Sequence, residues 1–318
     1  MRIGFSRCGG LGDGVVATAP ARSIRLKYPE SFITAYLLGS PYEIFKRNED
    51  IDSLVEAQCR FPKGVLKEDV IKDKYPWDLW FDLKPIPRVF VRDGIDIELP
   101  ESVCYWREAL SDIHLGYIDS CRELTKFGLR QIDLISQAIG VEPSKPRVYL
   151  YKREDIGNYA TLCNEAWGEA PSKSYPFWAD IVEQLDLPVY QVGEFRAETI
   201  GNCINRAGLL TFRDSCRLVA GAAFHLGIEG FWNHFCEALS VPRVIVFGPT
   251  PESFFGYDSA KNVCGDCGDC WWKTKDWMLR CPRGFEYSQR PCMHGLQPQI
   301  LSCINDLYSG GFDVFFAR

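Results

Sequence analysis

Glycine-rich turns near both ends of the chain restrict its fold more than any other feature. The first is Gly9-Gly10-Leu11-Gly12-Asp13-Gly14, which follows the apolar opening Arg2-Ile3-Gly4-Phe5. Near the other end stand Gly227-Ile228-Glu229-Gly230 and, after a further apolar run, Phe247-Gly248-Pro249-Thr250-Pro251. Each turn separates a short apolar run from a stretch with helical spacing. That is the strand–turn–helix unit of a nucleotide fold, where glycine lets a ligand approach the backbone closely. Two such regions so far apart predict two α/β halves.

The length agrees, since 318 residues exceed one ordinary core and suit two. In the first half the pattern predicts strands at 1–5, 32–38, 53–57 and 77–83. Helices are predicted at 15–28, stopped by Pro29, at 42–48, and as one long amphipathic element at 118–139. Residues 140–146, rich in Pro, Gly and charge, read as a linker. The second half repeats the alternation, with strands at 159–163, 189–192, 222–226 and 243–247. Its helices fall at 175–185, 215–221 and 232–239. Such alternation predicts parallel sheets. The fold class is therefore α/β: two Rossmann-like domains, 1–145 and 146–318, with parallel sheets facing each other across a cleft. In such sheets ligands bind beyond the C-terminal strand ends, where the glycine turns lie.

Composition excludes several functions. Net charge is −6, from 36 basic and 42 acidic residues, and the basic residues are scattered, so no nucleic-acid surface is expected. No apolar run approaches the ~20 residues that span a bilayer. The N-terminus enters a strand directly, with no signal peptide. The expectation is a cytoplasmic protein, with peripheral attachment at the inner membrane face and homo-oligomerisation both allowed. No full G-x-G-x-x-G follows a strand, which argues against a dinucleotide-dependent oxidoreductase.

Of the 14 cysteines, nine are dispersed and read as reduced, buried, small apolar side chains. The other five crowd into 264–292, a Gly/Pro/Trp-rich stretch that cannot build its own core. The best four-ligand set is Cys267, Cys270, Cys281 and Cys292, with Cys264 as the substitute. Zinc and iron both accept four thiolates, so a structural zinc or iron finger is expected. Buried thiols or disulfides are the alternatives. A site closed by four thiolates has no open position, and no catalytic metal is expected. Trp271, Trp272 and Trp277 read as packing around this finger.

Three patches carry a family likeness: Gly12-Asp13-Gly14-Val15-Val16-Ala17-Thr18-Ala19-Pro20-Ala21; Lys173-Ser174-Tyr175-Pro176-Phe177-Trp178; and the stretch from Gly227 to Pro251. In this order the chain resembles the ADP-heptose-dependent heptosyltransferases of glycosyltransferase family 9. The resemblance implies a GT-B fold and an inverting transfer of heptose from ADP-heptose. The acceptor would be a lipopolysaccharide core sugar or a protein Ser/Thr hydroxyl, as in autotransporter heptosylation. Members that modify autotransporters carry an iron-binding cysteine finger. One segment departs from the pattern. Where the family has Asp-Ser/Thr-Gly-x-x-His, this chain has Glu229-Gly230-Phe231-Trp232-Asn233-His234. The alternative function is a non-catalytic, metal-stapled sugar-nucleotide-binding protein of the same fold.

Residue by residue, Asp13 is either a helix N-cap or the general base that deprotonates the acceptor hydroxyl. Gly10, Gly12 and Gly14 would form the acceptor-side loop around it. Lys173 is either an exposed lysine or the cation that neutralises the donor diphosphate. Asn164 and Glu165 follow a strand and should line the donor site. Glu198, with Glu194 competing, suits the ribose hydroxyls. Glu229 suits sugar hydroxyls, and Gly230 opens a helix whose amides can meet phosphate. His234 is a core histidine or a pyrophosphate contact. Gly248, Pro249 and Thr250 form either a tight turn or the floor of the nucleotide site.

Overall fold

A computed structural model describes residues 1–57, 75–84, 86–109, 122–149, 151–153, 155–165, 170–193, 197–274 and 276–309. The chain divides into two compact units, Met1–Leu150 and Tyr151–Arg318.

The first unit holds β1 (Arg2–Cys8), α1 (Leu11–Lys27), β2 (Phe32–Leu38), α2 (Pro41–Ile44), β3 (Ser53–Glu56), β4 (Leu79–Asp82), β5 (Arg88–Val91), α3 (Glu101–Ala109) and α4 (Gln131–Ala138). Its sheet runs β3-β2-β1-β4-β5. All pairings are parallel except β4 with β5. The central strands are covered on both faces, which is why β1 and β4 read as nearly unbroken apolar runs. Ile3, Phe5, Leu79 and Phe81 are buried on one face of the sheet, while Trp80 points to the other and packs with Tyr36, Leu38 and Ala57. Thr18 bonds inside and outside α1: its hydroxyl donates to Val15 O at 2.6 Å and accepts from Arg147 N at 2.9 Å. The family-like Thr18 thus anchors the end of this unit to its first helix.

The second unit holds β6 (Ala160–Cys163), a 3-10 turn (Pro171–Lys173), α5 (Trp178–Val182), β7 (Val189–Gln191), β8 (Ile204–Asn205), α6 (Phe212–Ala220) and β9 (Phe224–Ile228). Then come α7 (Phe231–Leu239), β10 (Arg243–Phe247), α8 (Glu252–Phe255), β11 (Lys261–Cys264), a second 3-10 turn (Tyr287–Gln289) and α9 (Gln297–Ser309). Its sheet runs β11-β10-β9-β6-β7-β8, all parallel. Leu162, Leu226, Ile228, Val244 and Val246 of the sheet pack with Trp178 and Ile181 of α5 and with Ile300 and Ile304 of α9.

Both sheets are doubly wound. Strand order reverses between β1 and β4 in one unit and between β6 and β9 in the other. At such reversals the loops diverge and leave a crevice for ligands. The residues just beyond β1, β6 and β9 are Gly9–Gly14, Asn164 onward, and Glu229-Gly230.

Some predicted elements differ. The long helix expected at 118–139 is split: residues 122–125 are helical, Gly128 takes φ +66° and breaks the run, and α4 follows over Gln131–Ala138; residues 118–121 lie outside the described set. The helices expected at 42–48 and 175–185 contract to α2 and α5. Strands β5, β8 and β11 and helices α3, α8 and α9 are additions. No helix among the described residues is long and apolar enough to cross a membrane.

Candidate functional site

In the second unit, the loop after β6 is stapled back onto its own strand. Asn164 Oδ1 accepts from Tyr175 N at 2.7 Å and from Trp178 Nε1 at 2.9 Å, and its Nδ2 donates to Tyr175 O at 2.9 Å. Asn164, expected to touch the donor, spends its amide on this loop instead. The staple holds the turn that carries Lys173.

Lys173 Nζ donates to Glu229 Oε2 at 2.5 Å, joining the loops after β6 and β9. Glu229 is 5% exposed. Burial alone would raise its carboxyl, but Lys173, His234 and Thr250 together outweigh burial and hold it below its ordinary range. The Thr250 hydroxyl is buried beside this carboxylate, without a well-aligned partner of its own among the described residues. His234 is buried too, its Nε2 4.0 Å from Glu229 Oε1 and its Nδ1 2.7 Å from the Tyr257 hydroxyl. It is satisfied by protein groups and fixes the carboxylate rather than standing free.

Gly230 caps α7, and a Cβ built there would meet nothing within 4 Å. The space before the helix N-terminus is therefore open. The first amides of a helix have no partner within it and face such a space as donors. Gly248 is different: a Cβ there would collide with the end of the buried Met293 side chain, so Met293 would have to shift to admit it. The family departure at Phe231 is absorbed by packing. Its ring lies 5.6 Å from Phe212, 5.5 Å from Phe235 and 4.7 Å from Trp232.

Glu198 is exposed, and its backbone carbonyl accepts from Gln191 Nε2 at 2.7 Å. The Glu165 carboxylate lies closer to the end of β7: a Cβ at Gly193 would meet Glu165 Oε2 at 2.5 Å. Glu194 lies outside the described residues.

In the first unit, Asp13 is the third residue of α1 and not its N-cap, which is Gly10. Its Oδ2 accepts from Gly10 N at 2.8 Å, while Oδ1 accepts from Arg7 Nη2. Arg7 is 1% exposed and also donates to Leu83 O, beyond the end of β4. Gly14 lies against Pro41 of α2. Arg7 went unread in the sequence, although a cation at the end of a strand just before a glycine turn is a signal in itself.

The cysteine stretch packs within the second unit. Burial, followed by the neighbouring Cys292, Cys281 and Cys267, pushes the Cys270 thiol up to about 11. Cys292 is likewise pushed to about 11, chiefly by burial, with Cys267 and Cys281 adding and Arg290 opposing. The four expected ligands thus share one neighbourhood. Cys264 stands apart from them: its thiol is raised to about 11 by burial and Glu252. Among the described residues, no three His, Cys, Asp or Glu side chains are close enough to form a finished metal site. The four thiols have the chemistry of a thiolate site, but as placed they do not form one. The described cysteines are free thiols.

No protein-family model matches the chain, and no curated protein matches it by sequence. Solved structures do. The iron-containing dodecameric heptosyltransferase TibC of enterotoxigenic E. coli, solved with ADP-D-β-D-heptose, aligns at TM-score 0.63 and 15% identity, over 97% of this chain and 76% of that one. The E. coli ADP-heptose lipopolysaccharide heptosyltransferase II aligns at TM-score 0.62 and 14% identity, over 98% and 99%. E. coli heptosyltransferase WaaC with ADP aligns at TM-score 0.58 and 13% identity, over 96% and 100%. At these identities the likeness is one of fold, and two doubly wound α/β units in a single chain give this protein the GT-B fold of the heptosyltransferases.

Proposed function

We propose that the chain is an inverting glycosyltransferase that takes a sugar from a nucleotide diphosphate donor. The observation that carries this is the pairing of Lys173 with buried Glu229 at the switch point of the second sheet, beside the open N-terminus of α7. Lys173 has three donors and Glu229 occupies one. The others, with the first amides of α7 and the Thr250 hydroxyl, can take the diphosphate. Glu229, with His234 beside it, is then left to the sugar hydroxyls through its carboxylate alone, and Gly248 and Pro249 to the floor of the nucleotide site. A carboxylate near the ends of β6 and β7, Glu165 or Glu198, suits the ribose.

In the reaction the acceptor oxygen forms a bond to the anomeric carbon as the carbon–oxygen bond to the diphosphate breaks. Its electron pair leaves with the nucleotide diphosphate, and the acceptor proton passes to Asp13. Lys173 and the helix amides offset the charge growing on the leaving group, so no divalent ion is required. Arg7 and Gly10 hold Asp13, with Gly10, Gly12 and Gly14 leaving room for the acceptor. The first unit is thus the acceptor side and the second the donor side.

The heptosyltransferase neighbours favour ADP-heptose as the donor, and a glycan or protein hydroxyl as the acceptor. The iron in TibC favours a structural zinc or iron staple held by Cys267, Cys270, Cys281 and Cys292. The test is mass spectrometry of reactions containing ADP-heptose and candidate acceptors. Transfer that disappears in Asp13→Ala supports the proposal. Binding of ADP-heptose with no transfer or hydrolysis under any acceptor refutes catalysis.

A further inference from the structure

The stretch from Cys264 to His294 does more than bind to itself. It touches both loops assigned above to the donor. Arg290, 4% exposed, donates through Nη1 to Ser172 O and through Nη2 to Ser174 O at 3.3 Å, the carbonyls on either side of Lys173. Ser172 N donates to Met278 O at 3.0 Å. The Trp277 ring lies beneath the Lys173 ammonium, 6.0 Å from its centroid, and is 1% exposed. On the other loop, Cys270 N donates to Pro249 O at 2.9 Å. Met293, fully buried, presses against Gly248, and its own amide bonds Arg290 O at 2.9 Å.

Arg290 therefore sits at a junction. Its guanidinium fixes the Lys173 turn and its carbonyl fixes the turn that places Met293 on the Gly248 loop. Carbonyls held by a charged fork in a buried setting are held firmly, and lysine cannot reproduce that fork. A buried guanidinium directed at two carbonyls is not directed at a ligand.

We propose that Arg290 is a positioning residue for the donor site: it sets the Lys173 ammonium, and through it the cysteine-rich stretch forms a wall of the diphosphate pocket. This rests on the donor role of Lys173. The test uses the full chain and ADP as the probe, in a double-mutant cycle of Arg290→Met and Lys173→Met, with melting curves to verify folding. ADP affinity should fall about tenfold or more in Arg290→Met, the loss typical of removing charge-assisted bonds. The double variant should bind no more weakly than Lys173→Met alone, since Arg290 acts through Lys173. Arg290→Lys should recover only part of the loss. In turnover, the effect should appear in KM for the donor more than in kcat. A residue needed only for folding would lower the melting point and leave ADP affinity and donor KM of the folded protein alone.

Unchanged ADP affinity in folded Arg290→Met, or additive losses in the cycle, overturns the proposal. Should Arg290→Met not fold, Arg290→Lys is read in the same cycle by the same criteria. A wild type that binds no ADP sinks the donor assignment itself. A wild type that loses ADP through Lys173→Met but not through Arg290→Met sinks only the positioning role.

Discussion

The Arg7 guanidinium bonds the Asp13 carboxylate, tying the end of β1 to the first turn of α1. The same guanidinium reaches Leu83 O past β4, so it spans the reversal point of the first sheet. Asp13 is thereby held by a charge on one oxygen and by the Gly10 amide on the other. Each oxygen keeps a lone pair for a further proton donor.

That geometry separates capping from catalysis. Asp13→Asn retains an oxygen for Gly10 N but turns its amide NH2 toward the buried Arg7 guanidinium, so stability should fall by about 1–3 kcal/mol. Asn cannot accept a proton, so transfer should fall by about 10²- to 10⁴-fold. Arg7→Met should also slow transfer, and by leaving Leu83 O unpaired should cost about 1–3 kcal/mol in urea melts. ADP affinity, set in the other unit, should be unchanged in both. A fast Asp13→Asn enzyme would reduce Asp13 to a capping residue.

Glu229 supplies a pH signature. Its carboxyl is depressed below the ordinary 4.5, so the unfolded chain takes up its proton first as pH falls. The stabilisation is whole above 4.5 and is lost as pH drops through the lower folded value. Wild type should therefore lose stability relative to Glu229→Gln in urea melts taken from pH 5 down to 3. Between pH 5 and 7 the difference should be flat. A difference that instead opens near neutrality would place the titration elsewhere.

Much of this fold is legible in sequence because buried parallel strands are apolar on both faces; β2 and β10 fall where the runs predict them. Strand β5 is harder, being four residues in a polar setting after Pro87. The break at Gly128 hides inside an amphipathic pattern that continues on both sides of it. At the site, Lys173, Glu229 and Thr250 are marked by their place beyond strand ends. Asn164 is marked equally well, yet its amide is used on Tyr175 and Trp178, a pairing no local pattern reveals. Arg290 gives no signal, because a buried arginine is spelled like a surface one. Phe231 departs from the family pattern in sequence, but its ring joins Phe212 and Phe235 rather than the loops around Lys173.

Gly230 and Gly248 should respond oppositely to the same substitution. Gly230→Ala adds a methyl into open space, at a backbone angle that any residue adopts. Its melting point should hold while ADP affinity drops, since the methyl occupies the approach to the α7 amides. Gly248→Ala drives a methyl into Met293, and overpacking of this kind costs about 1–3 kcal/mol. Calorimetry and ADP titration of the two variants decide this. Unimpaired ADP binding by Gly230→Ala would remove the α7 terminus from the donor site.

The cysteine stretch offers the remaining prediction. If Cys267, Cys270, Cys281 and Cys292 hold a structural ion, purified protein should carry about one zinc or iron per chain. Serine at Cys267 or Cys281 should abolish the metal, whereas Cys264→Ser should keep it, because Cys264 is placed with Glu252 and not with the other four. Metal loss should lower the melting temperature and weaken ADP binding together. The physical link is the wall itself, where Cys270 N holds Pro249 O and Arg290, two residues before Cys292, holds the carbonyls around Lys173. Elemental analysis decides the first part and ADP titration of the chelated protein the second. Stoichiometric metal in the Cys267→Ser protein would rule out the proposed ligand set.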